Sequence, residues 1–304
     1  MNKYDQNPKK PNKNVVHTGY GQGKHRAKKS LGQNFLKSVV ALREIVKAGE
    51  LTTNDIVLEI GPGKGALTSK LLETGATVVA VEKDNTLFDF LGEKFTQEIE
   101  KKKLILVNDD ILLFNPIKTL SIPGMDRGYK IIANIPYNIT GAILKKFLTD
   151  EYQPSLMVLM VQNEVAKRIV ARGNTKKLNK NVVHTGYGQG KESLLSVSVK
   201  AYGTPKMVMK VPARYFSPAP KVDSAVISIK DISREFFNSQ NTKNISNSKI
   251  LEEKFWELVH AGFAHKRKQI GKSIKKLVHA DGYEKFKNKR AEDLSLADWI
   301  ELLK

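Results

Sequence analysis

Cysteine is absent from this chain of 304 residues. Disulfide bonds and metal sites built on thiolates are therefore excluded, and no metal site is predicted. The absence is typical of a reducing compartment, so we expect a cytoplasmic protein. Long hydrophobic runs are also lacking, since none approaches the ~18–20 residues of a membrane-spanning helix. The polar N-terminus has no apolar core of the kind found in secretory signals.

Acidic residues are scarce relative to basic ones. The chain holds 51 Lys and Arg against 31 Asp and Glu, a formal net charge of +20. Residues 1–30 hold eight basic residues and one acid, and residues 265–276 hold six basic residues and no acid. Such an excess attracts polyanions, with nucleic acid the first candidate and an anionic membrane surface the second. Taken alone, either run can equally be a solvated tail or helix face.

A segment of 13 residues, NKNVVHTGYGQGK, occurs twice, at 12–24 and at 179–191. Neither copy has an apolar period that could build a core, and copies so far apart do not form a solenoid. Two interpretations stay open. The segment is either a flexible basic element used twice, or a piece transplanted into the second position by design or by a recent duplication.

Short apolar runs alternate with helical patterns through the middle of the chain. Continuous apolar runs predict strands buried on both faces, and the alternation predicts a parallel sheet with crossover helices, an α/β fold. The predicted strands are 55–60, 76–82, 103–108, 129–135 and 155–161, followed by an alternating strand at 221–229.

Composition changes divide the rest of the chain. Helical spacing runs from Leu31 to Ala48, and four prolines in 205–220 predict extended or looped backbone. After Asp231 a polar linker precedes amphipathic helices. The predicted division is a flexible basic tail at 1–27, an α/β domain at 28–230 with an unusual inserted loop at 174–191, and a small all-helical, RNA-binding domain at 231–304.

Three glycines, Gly61, Gly63 and Gly65, follow the first predicted strand. Glycines at a strand-to-helix turn let the backbone approach a ligand, and the next helix offers free N–H groups. The spacing Gly-x-Gly-x-Gly differs from the Gly-x-Gly-x-x-Gly of dinucleotide sites. A nicotinamide-dependent oxidoreductase is therefore a weaker interpretation.

Acidic residues end the next two predicted strands. Glu82 can accept both hydroxyls of a ribose, and the run Asn108–Asp110 can accept the exocyclic amine of adenine. Each acid alone is also compatible with a helix cap. With the glycine loop, at three successive strand ends, they predict a site for an adenosyl cofactor.

The fourth predicted strand ends in Asn134, Ile135, Pro136 and Tyr137. An amine conjugated to an aromatic base is a poor nucleophile, because its lone pair is delocalised into the ring. The Asn134 side-chain carbonyl and the Ile135 backbone carbonyl, held by Pro136, would accept the two N–H bonds and direct the lone pair at a methyl donor. Tyr137 offers a flat face for an extruded base. The alternative is a plain strand–proline turn with a capping Asn.

These motifs resemble those of the ribosomal RNA adenine N6,N6-dimethyltransferases. The resemblance implies a Rossmann-like, class I S-adenosylmethionine-dependent methyltransferase domain with S-adenosylmethionine as the methyl donor. The matching segments, in the family's order, are KKSLGQNFL (28–36), LEIGPGKGALT (58–68), VEKD (81–84), DIL (110–112), NIPYNI (134–139), VQNEVAKRI (161–169), VPARYFSPAPKVDSAV (211–226) and FAHKRKQIGKSI (263–274).

The resemblance also implies roles for individual residues. In such enzymes the segment that matches Gln33–Leu36 closes over the cofactor. The implied cofactor contacts are Gln33, Asn34, Leu36, Gly61, Gly63, Glu82, Asp110, Ile111 and Asn134. The implied catalytic residues are Asn134, Ile135, Pro136 and Tyr137, with Phe216 flanking the target base opposite Tyr137. The basic residues expected to contact RNA are Lys28, Lys29, Lys221, Lys266, Arg267, Lys268 and Lys272.

Two branches of this family compete. One modifies paired adenines in the 3′-terminal hairpin of small-subunit ribosomal RNA during ribosome maturation, and the other modifies one large-subunit adenine and confers macrolide resistance. The segments FSPAPKVDSAV and FAHKRKQIGKSI look like the first branch, so the expected partner is a small-subunit precursor and the expected state a monomer. A non-catalytic RNA-binding or assembly protein on the same fold stays an alternative, against which the intact motif at 134–137 argues. The inserted loop puts RNA affinity in question but interrupts no motif.

Overall fold

A computed structural model describes residues 27–115, 128–171, 191–239, 247–265 and 267–303. The predicted tail, apart from Ala27, lies outside these ranges. So do the first copy of the repeat, the second copy except Lys191, and most of the inserted loop and the polar linker. Two residues expected to contact RNA are affected, since Lys266 and the side chain of Lys29 are not described.

Seven strands form one sheet in the order β4-β3-β2-β5-β6-β9-β7. They are β2 (Ile56–Ile60), β3 (Thr77–Glu82), β4 (Leu104–Asn108), β5 (Lys130–Asn134), β6 (Leu156–Gln162), β7 (Thr204–Val211) and β9 (Ser224–Lys230). Strands β2 to β6 are parallel, and β9 runs antiparallel to both of its neighbours. Two short strands, β1 (Phe35–Leu36) and β8 (Phe216–Ser217), pair antiparallel in a second sheet. The α/β fold and all six predicted strands are confirmed.

Helices join these strands and complete the C-terminal part. The α-helices are Val39–Ala48, Ala66–Leu72, Asn85–Lys94, Thr96–Glu100, Thr140–Leu148, Asn163–Val170, Leu194–Lys200, Glu235–Asn238, Ser248–Phe263, Gly271–Ile274, Ala280–Phe286 and Leu296–Glu301. Short 3₁₀ turns span Lys29–Leu31, Tyr137–Ile139, Ala213–Tyr215 and Ala291–Asp293. Among the residues described here, no helix combines the length and the apolar character that crossing a membrane requires.

Side chains of the parallel strands alternate between two buried apolar clusters, one on each face of the sheet. In β6, Leu159 and Val161 belong to one cluster, whereas Val158 and Met160 belong to the other. Burial on both faces explains why these strands appear in the sequence as continuous apolar runs.

The C-terminal helices contribute to the apolar cluster on one face of the sheet. Phe255, Leu258 and Trp299 are fully buried in the same cluster as Leu58 of β2. Gly262 lets two of these helices meet, because a Cβ at this position would collide with the ring of Trp299. The helical part therefore shares one continuous apolar cluster with the sheet, and the domain boundary near residue 230 stays a prediction.

One local expectation was wrong in detail. The helix expected from Leu31 begins at Val39, where the Ser38 side chain accepts a hydrogen bond from Ala41 N. The residues before it instead form a turn at Gly32, with φ +63°, and strand β1. The proline-rich stretch, expected to be extended or looped, contains the extended strand β7, which tolerates Pro205 because it lies at the edge of the sheet.

Candidate active site

A cavity of about 530 Å³ opens at the carboxyl-terminal edge of the parallel strands. This volume is in the range of small-molecule and cofactor sites. Its walls combine the ends of β2 to β5 with residues 30–36, which belong to the stretch 28–36, hereafter the 28–36 segment. The predicted cofactor residues that line it are Gln33, Asn34, Leu36, Gly61, Gly63, Glu82, Asp110, Ile111 and Asn134, joined by Ile135, Pro136 and Tyr137. The structure thus brings these residues together around one space.

The glycine loop after β2 adopts backbone conformations that favour glycine. Gly61 and Gly63 have φ values of +64° and +60°. A Cβ at Gly61 would meet no atom within 4 Å, so the backbone there is open to a ligand. A Cβ at Gly63 would lie 3.0 Å from the ring of Phe35, so this glycine makes room for the 28–36 segment.

Glu82 lies at the end of β3 with only 5% of its surface exposed. One carboxylate oxygen accepts Gly63 N at 3.1 Å, and the other accepts Asp84 N at 2.9 Å. Burial raises the pKa of Glu82 above its ordinary value, although these backbone hydrogen bonds oppose the shift. Each oxygen retains a lone pair, so the carboxylate can still accept two hydroxyl groups.

Asp110 follows β4 and is held by two neighbours. Lys83 Nζ lies 2.7 Å from Oδ2, and Leu112 N donates to Oδ1 at 3.0 Å. The hydrogen bond from Lys83 leads the contacts that lower the pKa of Asp110, so this carboxyl is ionised at neutral pH. Asn108, in the same run, donates its side-chain amide to the Glu82 carbonyl at 2.9 Å and braces the two strand ends.

Glu59, within β2, is a second acid that lines the cavity. It is 1% exposed, and burial raises its pKa to about 8, against contributions from Thr68 and Lys94 that lower it. This side chain is therefore mostly protonated at neutral pH. The other acids that line the cavity are Glu82, Asp109 and Asp110.

Asn134 ends β5 and is oriented by the 28–36 segment. Its side-chain Nδ2 donates to the backbone carbonyl of Asn34 at 3.2 Å. A carboxamide with its nitrogen committed in this way leaves Oδ1 available as an acceptor. Pro136, with φ −60° and ψ 131°, follows in extended geometry and fixes the direction of the chain after Ile135.

Tyr137 stands in the 3₁₀ turn after this proline. Its hydroxyl forms a 2.5 Å hydrogen bond with Ser224 Oγ, which lies fully buried in β9. Burial raises the pKa of Tyr137, while the Ser224 contact opposes the rise. The phenol is therefore neutral and anchored, which holds the ring in one place and suits stacking better than proton transfer.

The chain matches the family model described as ribosomal RNA adenine dimethylase over residues 24–304. A ribosomal RNA small subunit methyltransferase A of Dehalococcoides mccartyi is 37% identical over 288 residues, covering 91% of this chain and 87% of the relative. The protein of the same name from Fusobacterium nucleatum is 35% identical and covers 91% of this chain and 96% of the relative. The chain belongs to the ribosomal RNA adenine dimethylase family. It is an rRNA adenine methyltransferase, as the motifs predicted.

Solved structures agree with the fold of this dimethylase. A dimethyladenosine transferase from Plasmodium falciparum aligns with a TM-score of 0.66 at 24% identity, covering 88% of this chain and 95% of that one. The 23S rRNA methyltransferase ErmE aligns with a TM-score of 0.63 at 24% identity, covering 88% and 98%. At this level of identity the comparison supports the class I methyltransferase fold alone.

Some residues predicted to belong to the site do not line the cavity. Phe216, in β8, is 3% exposed and belongs to a buried apolar cluster, while its neighbour Ser217 lines the cavity. Lys221 is exposed at a small hollow beside Gln162. Arg267, Lys268 and Lys272 are exposed in the C-terminal part. The roles given to these residues stay predictions.

Two polar residues that contact the site were not predicted from the sequence. Asp84 binds the 28–36 segment through Lys28 at 2.7 Å and Gln33 at 3.0 Å, and Ser224 anchors Tyr137. Asp84 has the position of a helix cap, and it does accept Thr86 N, so local sequence gave no sign of its second role. Ser224 could have been recognised in the sequence, because it is a polar residue in an apolar strand.

Gly63→Ala is expected to weaken cofactor binding of this dimethylase several-fold and to lower its stability by about 1–2 kcal/mol. The left-handed backbone disfavours a Cβ, and the added methyl would press on Phe35 and displace the 28–36 segment. Calorimetric titration and thermal unfolding measure the two effects. Gly92→Ala is the matched control, since a Cβ there meets nothing within 4 Å and the residue is helical. Unchanged cofactor affinity in Gly63→Ala would contradict the assigned contact with Phe35.

Proposed function

We propose that the cavity binds S-adenosylmethionine, which supplies an electrophilic methyl group when bound. Three observations support the fit. Gly61 leaves an open surface for the ligand, Glu82 can accept the two ribose hydroxyls, and Asp110 carries a carboxylate at the neighbouring strand end. The cavity volume of about 530 Å³ is large enough for a nucleoside with an amino-acid arm.

We infer that Asn134 and Ile135 align the adenine amine for attack. Asn134 Oδ1 would accept one N–H bond of N6, and the Ile135 carbonyl would accept the other. Two acceptors on these hydrogens draw the nitrogen out of conjugation and direct its lone pair into the cavity. This assignment depends on one observation: Asn134 Nδ2 is bound to the Asn34 carbonyl, which leaves Oδ1 free to accept. The chemistry then needs alignment rather than a strong general base.

Tyr137 is proposed to stack on the extruded adenine. Its ring is partly exposed at the cavity wall, and its hydroxyl is tied to Ser224 at 2.5 Å. Stacking of a base on an aromatic side chain contributes about 1–3 kcal/mol and tolerates rotation of the base. Because the hydrogen bond to Ser224 holds the Tyr137 ring in place, the ring would keep the adenine stacked through two successive methyl transfers to the same nitrogen.

The proposed target is a pair of adjacent adenines in the 3′-terminal hairpin of small-subunit ribosomal RNA, modified by a monomer acting on a precursor particle. The support comes from the name of the relatives at 35–37% identity, small subunit methyltransferase A. Exposed basic residues in the C-terminal part, Arg267, Lys268 and Lys272, are proposed to bind RNA phosphates there.

The test is transfer of tritiated methyl groups to unmodified small and large ribosomal subunits assayed side by side. We expect label on small-subunit RNA, with two N6,N6-dimethyladenines after digestion. Label on large-subunit RNA would favour the macrolide-resistance type of activity instead. Binding of particles without label on either RNA would point to an assembly protein that has lost catalysis.

A further inference from the structure

The Asp84 side chain lies at the base of the 28–36 segment and is 2% exposed. One carboxylate oxygen receives Lys28 Nζ at 2.7 Å and Thr86 N at 3.1 Å, and the other receives Gln33 Nε2 at 3.0 Å. Burial works to raise the pKa of Asp84, but these contacts outweigh it and the pKa lies below its ordinary value. An ionised carboxylate buried against the segment makes charge-assisted hydrogen bonds, which are stronger than neutral ones.

The Gln33 side chain transmits this contact along the segment. While its nitrogen donates to Asp84, its Oε1 accepts Lys28 N at 2.8 Å, so both ends of the amide are bound. Gly32, at φ +63°, lets the backbone reverse between these two residues. The turn from Lys28 to Gln33 is thus closed on itself and fixed to Asp84.

Asn34, the next residue, carries the carbonyl that accepts Asn134 Nδ2 at 3.2 Å. A carboxamide can rotate by half a turn and exchange its nitrogen and oxygen, and only hydrogen-bond partners decide between the two orientations. With the Asn34 carbonyl in place, the nitrogen faces the segment. Without it, Asn134 can present N–H groups to the adenine amine, where donor would meet donor.

We propose that Asp84 is a positioning residue for methyl transfer, which keeps the Asn134 carboxamide in its accepting orientation by holding the 28–36 segment through Lys28 and Gln33. This inference rests on the proposed role of Asn134. It assigns Lys28 a structural ion pair, whereas the sequence had suggested an RNA contact.

The test is a double-mutant cycle in single-turnover methyl transfer at saturating cofactor and RNA. Asp84→Ala should lower the rate about tenfold in the wild-type background and less than about twofold in an Asn134→Ala background, because residues that act through one another are not additive. Asp84→Asn keeps the shape and an oxygen for the helix cap, and an intermediate loss is expected.

Control variants separate positioning from general destabilisation. Asn247→Ala removes a helix cap of the same type far from the cavity and should leave the rate unchanged. Lys47→Met removes one exposed basic charge outside the segment and controls for lost RNA attraction. If Asp84→Ala does not fold, Gln33→Met and Lys28→Met retain the cap and should each lower the rate about two- to fivefold, again only when Asn134 is present.

The outcomes distinguish this inference from the proposed function. An equal loss in both backgrounds, or no loss at saturating cofactor, would overturn the positioning role of Asp84 and leave Asn134 as the catalytic residue. Near wild-type activity of Asn134→Ala alone would overturn the proposed function itself.

Discussion

Asn134→Ala is expected to reduce the rate of methyl transfer by a factor of about 10²–10³. One oriented hydrogen bond to a group whose bonding changes in the transition state typically has this effect. Cofactor affinity should change little, because the 28–36 segment keeps its attachment to Asp84 and its pairing of Leu36 with Phe216. Single-turnover assays give the rate, and calorimetry gives the affinity.

Asn54→Ala is the matched control for this variant. Asn54 is exposed in the turn before β2, at the opposite end of the sheet from the cavity. The Asn54→Ala substitution removes the same type of side chain and should leave both the rate of methyl transfer and the cofactor affinity unchanged. If Asn134→Ala transferred methyl groups nearly as fast as the wild type, the N6 amine would have to be aligned by other residues.

Glu82→Ala is expected to weaken S-adenosylmethionine binding by about 1.5–3 kcal/mol, the contribution of hydrogen bonds to a charged group. The loss has two sources. The carboxylate would no longer accept the ribose hydroxyls, and Gly63 N and Asp84 N would lose their partner. Glu82→Gln retains one acceptor oxygen and should show a smaller loss. RNA affinity, measured separately, should stay the same in both variants.

The pH dependence of cofactor binding offers a second measurement on Glu82. Its folded-state pKa is raised by burial, so the carboxylate takes up a proton at a higher pH than an ordinary glutamate does. Because the ionised form is the better acceptor of hydroxyl hydrogen bonds, affinity should fall as the pH is lowered towards that pKa. The difference between wild type and Glu82→Gln isolates this titration from that of the ligand. Parallel pH profiles for the two proteins would place the ribose elsewhere.

The sequence predicted the parts of the site that are local in the chain. Glu82 and Asn134 end apolar runs, and in a parallel sheet all such ends meet at one edge, so their proximity follows from topology alone. Contacts between distant segments were not predictable in this way. Lys28 and Asp84 are 56 residues apart, and each has a plausible local interpretation, as a surface charge and as a helix cap.

The same limit explains the wrong helix start in the fold. Apolar residues after Leu31 have helical spacing, but Gly32 and the pairing of Phe35 with Ser217 draw them into a turn and a strand. The prolines of 205–220 predicted extended or looped backbone, and β7 is extended there at the edge of the sheet, where fewer backbone donors are required. For the helix start, a partner remote in sequence overrode the local preference.

The shared apolar cluster between the sheet and the C-terminal helices has a consequence for substrate choice. Because Trp299 and Phe255 belong to the same apolar cluster as the strand residue Leu58, we expect the basic surface around Lys272 to keep its position relative to Asn134. If these helices bind RNA phosphates as proposed, the distance between those phosphates and the methyl group would be fixed. An adenine would then reach the methyl group only when it lies at that distance from the bound phosphates. RNA geometry, more than base sequence, would decide which adenines are modified.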